Sequence, residues 1–182
     1  MKIIIDYIPE TDAQKLWEIA FKDEDPQWSH FNAPYFNEYQ AIDYRTYLND
    51  YAPYYIDVDH RRGIYVDDVL IGLVSFYWES RPTRWLEYGL VIYDESYWGK
   101  GIGTYVSNLW ITELFEKFPL IQRVGFTTWS GNPGMMAIGD KLDMTLEARL
   151  RKCRYYKGEY YDSIKYGVLR DEWTKKAANG LD

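Results

Sequence analysis

Apolar and polar positions change period several times along the chain, and each change marks an element. Residues 1–8 are β-rich through Ile3, Ile4, Ile5 and Tyr7 and read as a first strand, which Pro9 ends. Ala13, Leu16, Trp17 and Ala20 recur at helical spacing behind Thr11-Asp12-Ala13-Gln14, which fits a capping box. A loop is expected over 23–34 and a second helix within 36–50. Ile64-Tyr65-Val66 and the run 69–78 flank Asp67-Asp68, a two-residue hairpin turn. Another strand is expected over 84–93. A helix over 104–118 follows, with Val106, Leu109, Trp110, Leu114 and Phe118 as its buried stripe and Pro119 as its stop. Residues 121–129 read as a strand. Asn132 then offers an N-cap, with Pro133 at the favoured first helical position. A last hairpin is expected from 146–156 and 160–169 around Lys157-Gly158, followed by a frayed tail over 175–182.

These elements predict an α/β fold: a mixed, mostly antiparallel sheet of six or seven strands with helices on both faces. No repeat, low-complexity tract or linker interrupts the pattern, so one domain over 1–173 and a polar tail over 174–182 are expected. The chain is organised around Tyr97-Trp98-Gly99-Lys100-Gly101-Ile102-Gly103-Thr104, which sits between an apolar run at 90–93 and the amphipathic stretch 104–118. Strand, glycine-rich turn and helix in that order make an anion site. The glycines let backbone N–H groups approach a ligand, and the helix start adds unpaired donors and partial positive charge. The spacing is not that of a P-loop, because Lys100 precedes Gly101 and no glycine stands where the first should be. It is not a dinucleotide fingerprint either, since counts from Gly99 and Gly101 fail at Ile102 and Val106.

Composition narrows the class. Of the 182 residues, 47% are hydrophobic and 19% aromatic, which excludes a disordered chain. A net charge of −7 argues against nucleic acid as the main ligand and suits a cationic acceptor. Cys153 is the one cysteine, so no intramolecular disulfide forms, and with two histidines it cannot supply a rich zinc site. No Gly-x-Ser-x-Gly elbow is present, and no signal peptide, long apolar span or lipidation motif is visible. A soluble cytoplasmic protein with no metal and no membrane contact is expected, and a homodimer stays open.

The turn Trp98-Gly99-Lys100-Gly101-Ile102-Gly103 resembles the pyrophosphate loop of the GNAT N-acetyltransferases, Gln/Arg-x-x-Gly-x-Gly/Ala. Trp98 stands in the first position, as is common in the branch that acetylates ribosomal-protein N-termini. Further likeness lies in Leu86-Glu87-Tyr88-Gly89-Leu90-Val91-Ile92, in Asn132-Pro133-Gly134-Met135-Met136, in Lys141-Leu142-Asp143-Met144, and in the hairpin 156–173. The match runs from about Ile64 to Trp173.

This resemblance implies the GNAT fold, with its fourth and fifth strands splayed around a pantetheine arm. It implies transfer of an acetyl group from acetyl-CoA (coenzyme A) to a primary amine on a small molecule or peptide, by direct attack on the thioester. Trp98, Gly99, Lys100, Gly101, Ile102, Gly103 and Thr104 would hold the cofactor, with Lys100, Gly101, Gly103 and Thr104 on the pyrophosphate. Backbone groups of Ile92 and Tyr93 would hold the arm, one N–H there polarising the thioester carbonyl. Asn132 would contact the arm as well. Glu87 would be the general base, because an amine with a pKa near 10.4 arrives protonated. The segment that covers the acceptor in the family carries Asp23, Asp25, Trp28, His30 and Tyr35 here, and His30 could also act as a base. Two positions depart from the pattern: Gly139 stands where many members carry a tyrosine acid, and Asp143 where a glycine ends the helix. The first leaves room for an alternative, a non-catalytic acyl-CoA-binding or regulatory module. Tyr105, Tyr155 and Tyr156 are the phenols expected nearby, and Arg149, Arg151, Lys152 and Arg154 are expected to form a solvated strand face.

Overall fold

The structure is a computed structural model that describes residues 1–36 and 38–178, with backbone only for 175–178. The seven strands are β1 (Ile3–Asp6), β2 (Arg61–Val66), β3 (Val69–Ser80), β4 (Trp85–Ile92), β5 (Arg123–Trp129), β6 (Thr145–Tyr156) and β7 (Glu159–Leu169). They form one sheet in the order β1-β2-β3-β4-β5-β7-β6. The β4–β5 pair is parallel, while β1–β2, β2–β3, β5–β7 and β6–β7 are antiparallel. β4 and β5 pair at Leu86–Val124 and Glu87–Gly125, and each runs on past that ladder, as a splay at this point requires. The helices are α1 (Ala13–Ala20), α2 (Tyr44–Thr46), α3 (Ile102–Lys117), α4 (Pro133–Lys141) and α5 (Arg170–Ala178).

The chain divides into two compact units. The first is Met1–Ser75 with Leu90–Val106. Its core joins Ile8, Leu16, Ala20, Tyr47, Tyr65, Leu73 and Tyr93. Many of the tyrosines are spent here as packing: the Phe21 ring meets Tyr47, Tyr51 and Tyr55 at centroid distances of 5.2, 5.6 and 5.5 Å. The second unit is Phe76–Gly89 with Ser107–Asp182. Period-2 alternation puts Leu86 and Tyr88 in its core with Trp110, Leu114, Val124, Phe126, Tyr166 and Val168, and turns Glu87 to the opposite face.

Several elements differ from expectation. The capping box at Thr11 does not form: a 3₁₀ turn over Glu10–Asp12 delays α1 to Ala13, and the Asp12 carboxylate instead accepts from Tyr65 Oη at 2.7 Å. The second helix starts at Tyr44 rather than near 36, because Ile42 N–H donates to Phe21 O and Asp43 caps through Thr46 N–H at 3.0 Å. It continues as a π-turn over Tyr47–Tyr51 and a 3₁₀ turn over Ala52–Tyr54. In α3, Val106, Trp110 and Leu114 are buried as expected, but Leu109 is exposed and Phe118 lies beyond the helix end. Ser107, Ile111 and Phe115 complete the buried surface, so the core wraps further round this helix than one stripe. Residues 174–178 continue α5, so the part of the frayed tail expected at 175–178 is helical; 179–182 lie outside the described residues.

Candidate functional site

In the first unit, β4 ends at Ile92 and the chain turns through a 3₁₀ segment, Glu95–Tyr97, opened by Asp94 accepting from Ser96 N–H at 2.9 Å. Trp98 Nε1 donates back to Ile92 O at 2.9 Å, which ties the head of the turn to the strand. Gly99 and Gly101 take φ of +71° and +79°, a region that favours glycine, and an added Cβ at either would meet nothing of the chain within 4 Å. α3 opens directly behind, with Tyr105 N–H on Gly101 O at 3.1 Å. Lys100 Nζ lies 5.5 Å from the centroid of the Tyr97 ring. The result is an open turn at the N-terminus of a 16-residue helix. Its chemistry fits a pyrophosphate, with backbone donors, a lysine and room for close approach.

The two arm residues differ. Tyr93 N–H is spent on Ile71 O at 2.9 Å, so strand alternation points the Ile92 backbone groups to the other edge of β4. The Tyr93 ring is buried, and desolvation holds its phenol well above the usual tyrosine range.

The 3₁₀ turn Gln27–His30 packs against both ends of this connection. The Trp28 ring meets Tyr93 edge-on at 5.1 Å, and Phe31 meets Trp98 at 5.6 Å. Tyr39 adds a third ring at 5.2 Å from Trp28, and its hydroxyl donates to Asp23 O at 3.0 Å. Burial, with the Asp23 charge second, pushes the Tyr39 phenol up to about 12. His30 Nε2 and Asp25 Oδ1 are 2.6 Å apart. Asp23 Oδ1 accepts from Asp25 N–H at 3.1 Å. The expected residues Asp23, Asp25, Trp28 and His30 thus share one segment, whereas the Tyr35 ring meets Phe36 at a tilt, 4.8 Å between centroids. Phe31 and Tyr39 escaped the sequence reading because an aromatic in a loop carries no periodic signal.

In the second unit, Glu87 is fully buried, 0% exposed. Oε2 accepts from Thr127 Oγ1 at 2.6 Å and Tyr77 Oη at 3.2 Å; Oε1 accepts from Trp85 Nε1 at 3.3 Å and Lys165 Nζ at 3.5 Å. Arg123 Nη2 stands 3.6 Å from Oε1. Burial first, then the Glu87 charge, pushes the Tyr77 phenol above its usual range. The row beside Glu87 is bare: its sheet neighbours are Gly125 and Gly167. A Cβ at Gly125 would collide with the Arg123 guanidinium, and one at Gly167 with the Glu147 carboxylate. The two glycines therefore seat the Arg123–Glu147 pair, joined through Nε at 3.0 and 2.9 Å, flat on the sheet. A groove of about 530 Å³ opens beside it, lined among others by Arg84, Trp85, Gln122 and Lys165.

Asn132 is the N-cap of α4, its Oδ1 accepting from Met135 N–H at 3.0 Å. Gly139, on the same helix, lies against the Tyr166 ring, and a Cβ there would come within 2.6 Å of it. Tyr166 Oη donates to Asp140 Oδ1 at 2.7 Å, and burial together with Asp140 pushes that phenol up to about 12. Tyr105 and Tyr155 are exposed, and Tyr156 packs on Trp129. The phenol beside α4 is thus Tyr166, which the sequence reading did not single out. Asp143 takes φ +47° and closes α4: its N–H reaches Asp140 O and that of Met144 reaches Gly139 O, the two bonds of a Schellman end. Of the basic face on β6, Arg149 pairs with Asp162 at 2.6 Å.

Comparison with known proteins places the chain. A family model described as "Acetyltransferase (GNAT) domain" matches residues 2–145. A protein of Bacillus subtilis (strain 168) named "Putative ribosomal N-acetyltransferase YdaF" is 29% identical over 175 residues, covering 94% of this chain and 93% of that protein. A crystal structure described as a probable acetyltransferase superposes with a TM-score of 0.72 at 25% identity over 94% of both chains. The spermidine N-acetyltransferase of Vibrio cholerae, solved with CoA and spermine, gives a TM-score of 0.70 at 16% identity, covering 94% of this chain and 98% of that one, a likeness of fold.

Proposed function

Because the chain belongs to the GNAT acetyltransferase family, we propose that it transfers an acetyl group from acetyl-CoA to a primary amine and that the turn 98–104 holds the cofactor's pyrophosphate. The observation that carries this reading is the open, left-handed backbone at Gly99 and Gly101 at the head of α3. Lys100 and Thr104 add a charge and a hydroxyl to the backbone donors. The Ile92 backbone, directed away from β3, contacts the pantetheine arm. Tyr93 offers the arm no N–H, since that group is committed to Ile71.

Acetyl-CoA supplies an acyl carbon bonded to a good leaving group, a thiol with a reference pKa of about 8.5. The chain must therefore hold the anion, exclude water and remove a proton from the arriving ammonium. Two of its groups are candidates for that proton, Glu87 and His30. No tyrosine from α4 is needed, and Gly139 could not carry one against Tyr166. One relative is named a putative ribosomal N-acetyltransferase, and spermidine, which the name of a structural neighbour carries, presents a primary amine. The carboxylates of Asp23 and Asp25 suit such a cation.

Two measurements test the reading. Thioester turnover is followed over a panel of amines, and CoA affinity is measured by calorimetry on the wild type and on Gly101→Val. The variant is expected to stay folded and to lose CoA binding, since valine both strains a φ of +79° and fills the space left for the ligand. CoA affinity within a few-fold of wild type would remove the loop from the site.

A further inference from the structure

We propose that His30, held by Asp25, takes the proton from the acceptor amine; this rests on the acetyltransferase reading. His30 Nε2 and Asp25 Oδ1 stand 2.6 Å apart, within hydrogen-bond reach. A carboxylate oxygen accepts, so a neutral ring held in this way carries its proton on Nε2 and its lone pair on Nδ1. The pair is solvent-exposed, with side-chain exposures of 42% for His30 and 80% for Asp25. Such a pair adds little to stability, so its effect falls on the ring's tautomer and orientation.

The segment that carries the pair is not a loose loop. Pro26 O accepts from Ser29 N–H at 3.0 Å and from the buried Ser29 Oγ at 2.8 Å. On one side of His30, Trp28 packs on Tyr93; on the other, Phe31 packs on Trp98. The segment that carries His30 is thereby seated against Tyr93, at the end of β4, where the acetyltransferase reading puts the pantetheine arm. A base paired with an orienting carboxylate is the arrangement by which proton acceptors are recognised. Glu87 has the opposite surroundings. Four hydrogen bonds fill its two oxygens, Arg123 stands beside them, and no part of it is exposed.

The step balances as follows. The ammonium gives one proton to Nδ1, and Asp25 stabilises the imidazolium that results. The amine lone pair forms the C–N bond while the C–S bond breaks and its electron pair leaves on sulfur. The nitrogen's second proton ends on that sulfur, and Nδ1 returns its proton to water. Asp25 is a positioning residue in this step.

The test has a static arm and a kinetic arm. Two-bond ¹H–¹⁵N spectra of the full chain, with His60→Gln to assign the two histidines, should show His30 with a bare Nδ1 and a protonated Nε2. In turnover, His30→Gln should lower kcat by about 10²–10⁴-fold, the range for a general base, with CoA affinity within twofold. His30→Ala should recover activity with added imidazole. Asp25→Asn should lower kcat more than it raises KM. A protonated Nδ1, or kcat retained within threefold in His30→Gln, overturns the assignment and leaves the acetyltransferase reading intact. A wild-type protein that turns over no amine overturns both.

Discussion

Replacing Glu87 by glutamine separates a structural from a chemical role for this buried carboxylate. Glutamine keeps one carbonyl oxygen, enough for Thr127 Oγ1 and Tyr77 Oη on the Oε2 side. The other oxygen becomes an NH₂ that faces two donors, Trp85 Nε1 and Lys165 Nζ. Breaking a buried ion pair from one side costs about 3–5 kcal/mol. The expected loss lies at the lower end of that range, because the two cations keep other partners. Arg123 stays on Glu147 and Lys165 Nζ stays on Thr127 Oγ1 at 2.7 Å, and their side chains are 21% and 26% exposed. About 3 kcal/mol in a chain of this length lowers Tm by about 6–12 °C. Calorimetry, with urea unfolding as a check on m, reads the shift. A double-mutant cycle with Thr127→Val should return a coupling of about 0.5–3 kcal/mol. A Tm within about 2 °C of wild type would refute the account of a saturated network. If that stable variant also lost kcat a hundredfold or more, Glu87 would be the base, and His30 would not.

Two further predictions follow from the helix end and the last hairpin. Asp143→Gly, at φ +47°, removes a side chain from left-handed backbone and should raise Tm by about 2–4 °C, roughly 1 kcal/mol; an unchanged or lower Tm would show that the carboxylate compensates for the strain. Lys152 N–H at 2.8 Å, and then Arg149, hold the Asp162 carboxyl below the usual carboxylate range. Its contribution is therefore complete above the unfolded value of about 3.9 and is lost as pH falls through the lower folded value. The Tm gap between wild type and Asp162→Asn should be constant from pH 7 to about pH 5 and close on further acidification, and a gap that widens in acid would reverse the sign.

What was legible in the sequence was local. The hairpin turns carry their own chemistry: Asp67 and Asp68 take φ of +48° and +67°, and Lys157-Gly158 take +47° and +87°. Asn132-Pro133 starts α4, and Gly99 and Gly101 set the left-handed backbone of the turn, because each signal lies within a few residues of what it specifies. The start of α2 was missed because Ile42 is tied to Phe21, a contact across 21 residues that no local pattern shows. The surroundings of Glu87 were illegible for the same reason. Three of its four donors stand 10, 40 and 78 residues away in sequence at Tyr77, Thr127 and Lys165. Only the sheet, which sets β3, β4, β5 and β7 side by side, gathers them. Gly125 and Gly167 read as weak spots in strands until that arrangement shows which pair of side chains needs the room.

The Trp98 indole, bonded to Ile92 O and packed on Phe31, has a kinetic consequence. A flexible glycine turn must be frozen on each encounter, and every rotor so immobilised weakens the complex. Here that ordering is completed during folding, so on the proposed reading the turn would meet its anion already shaped. Association should then proceed without a slow conformational phase, as one exponential whose rate rises linearly with CoA concentration. Trp98→Ala would leave every phosphate donor in place and still lengthen the path to the bound state, converting a docking event into docking preceded by a search.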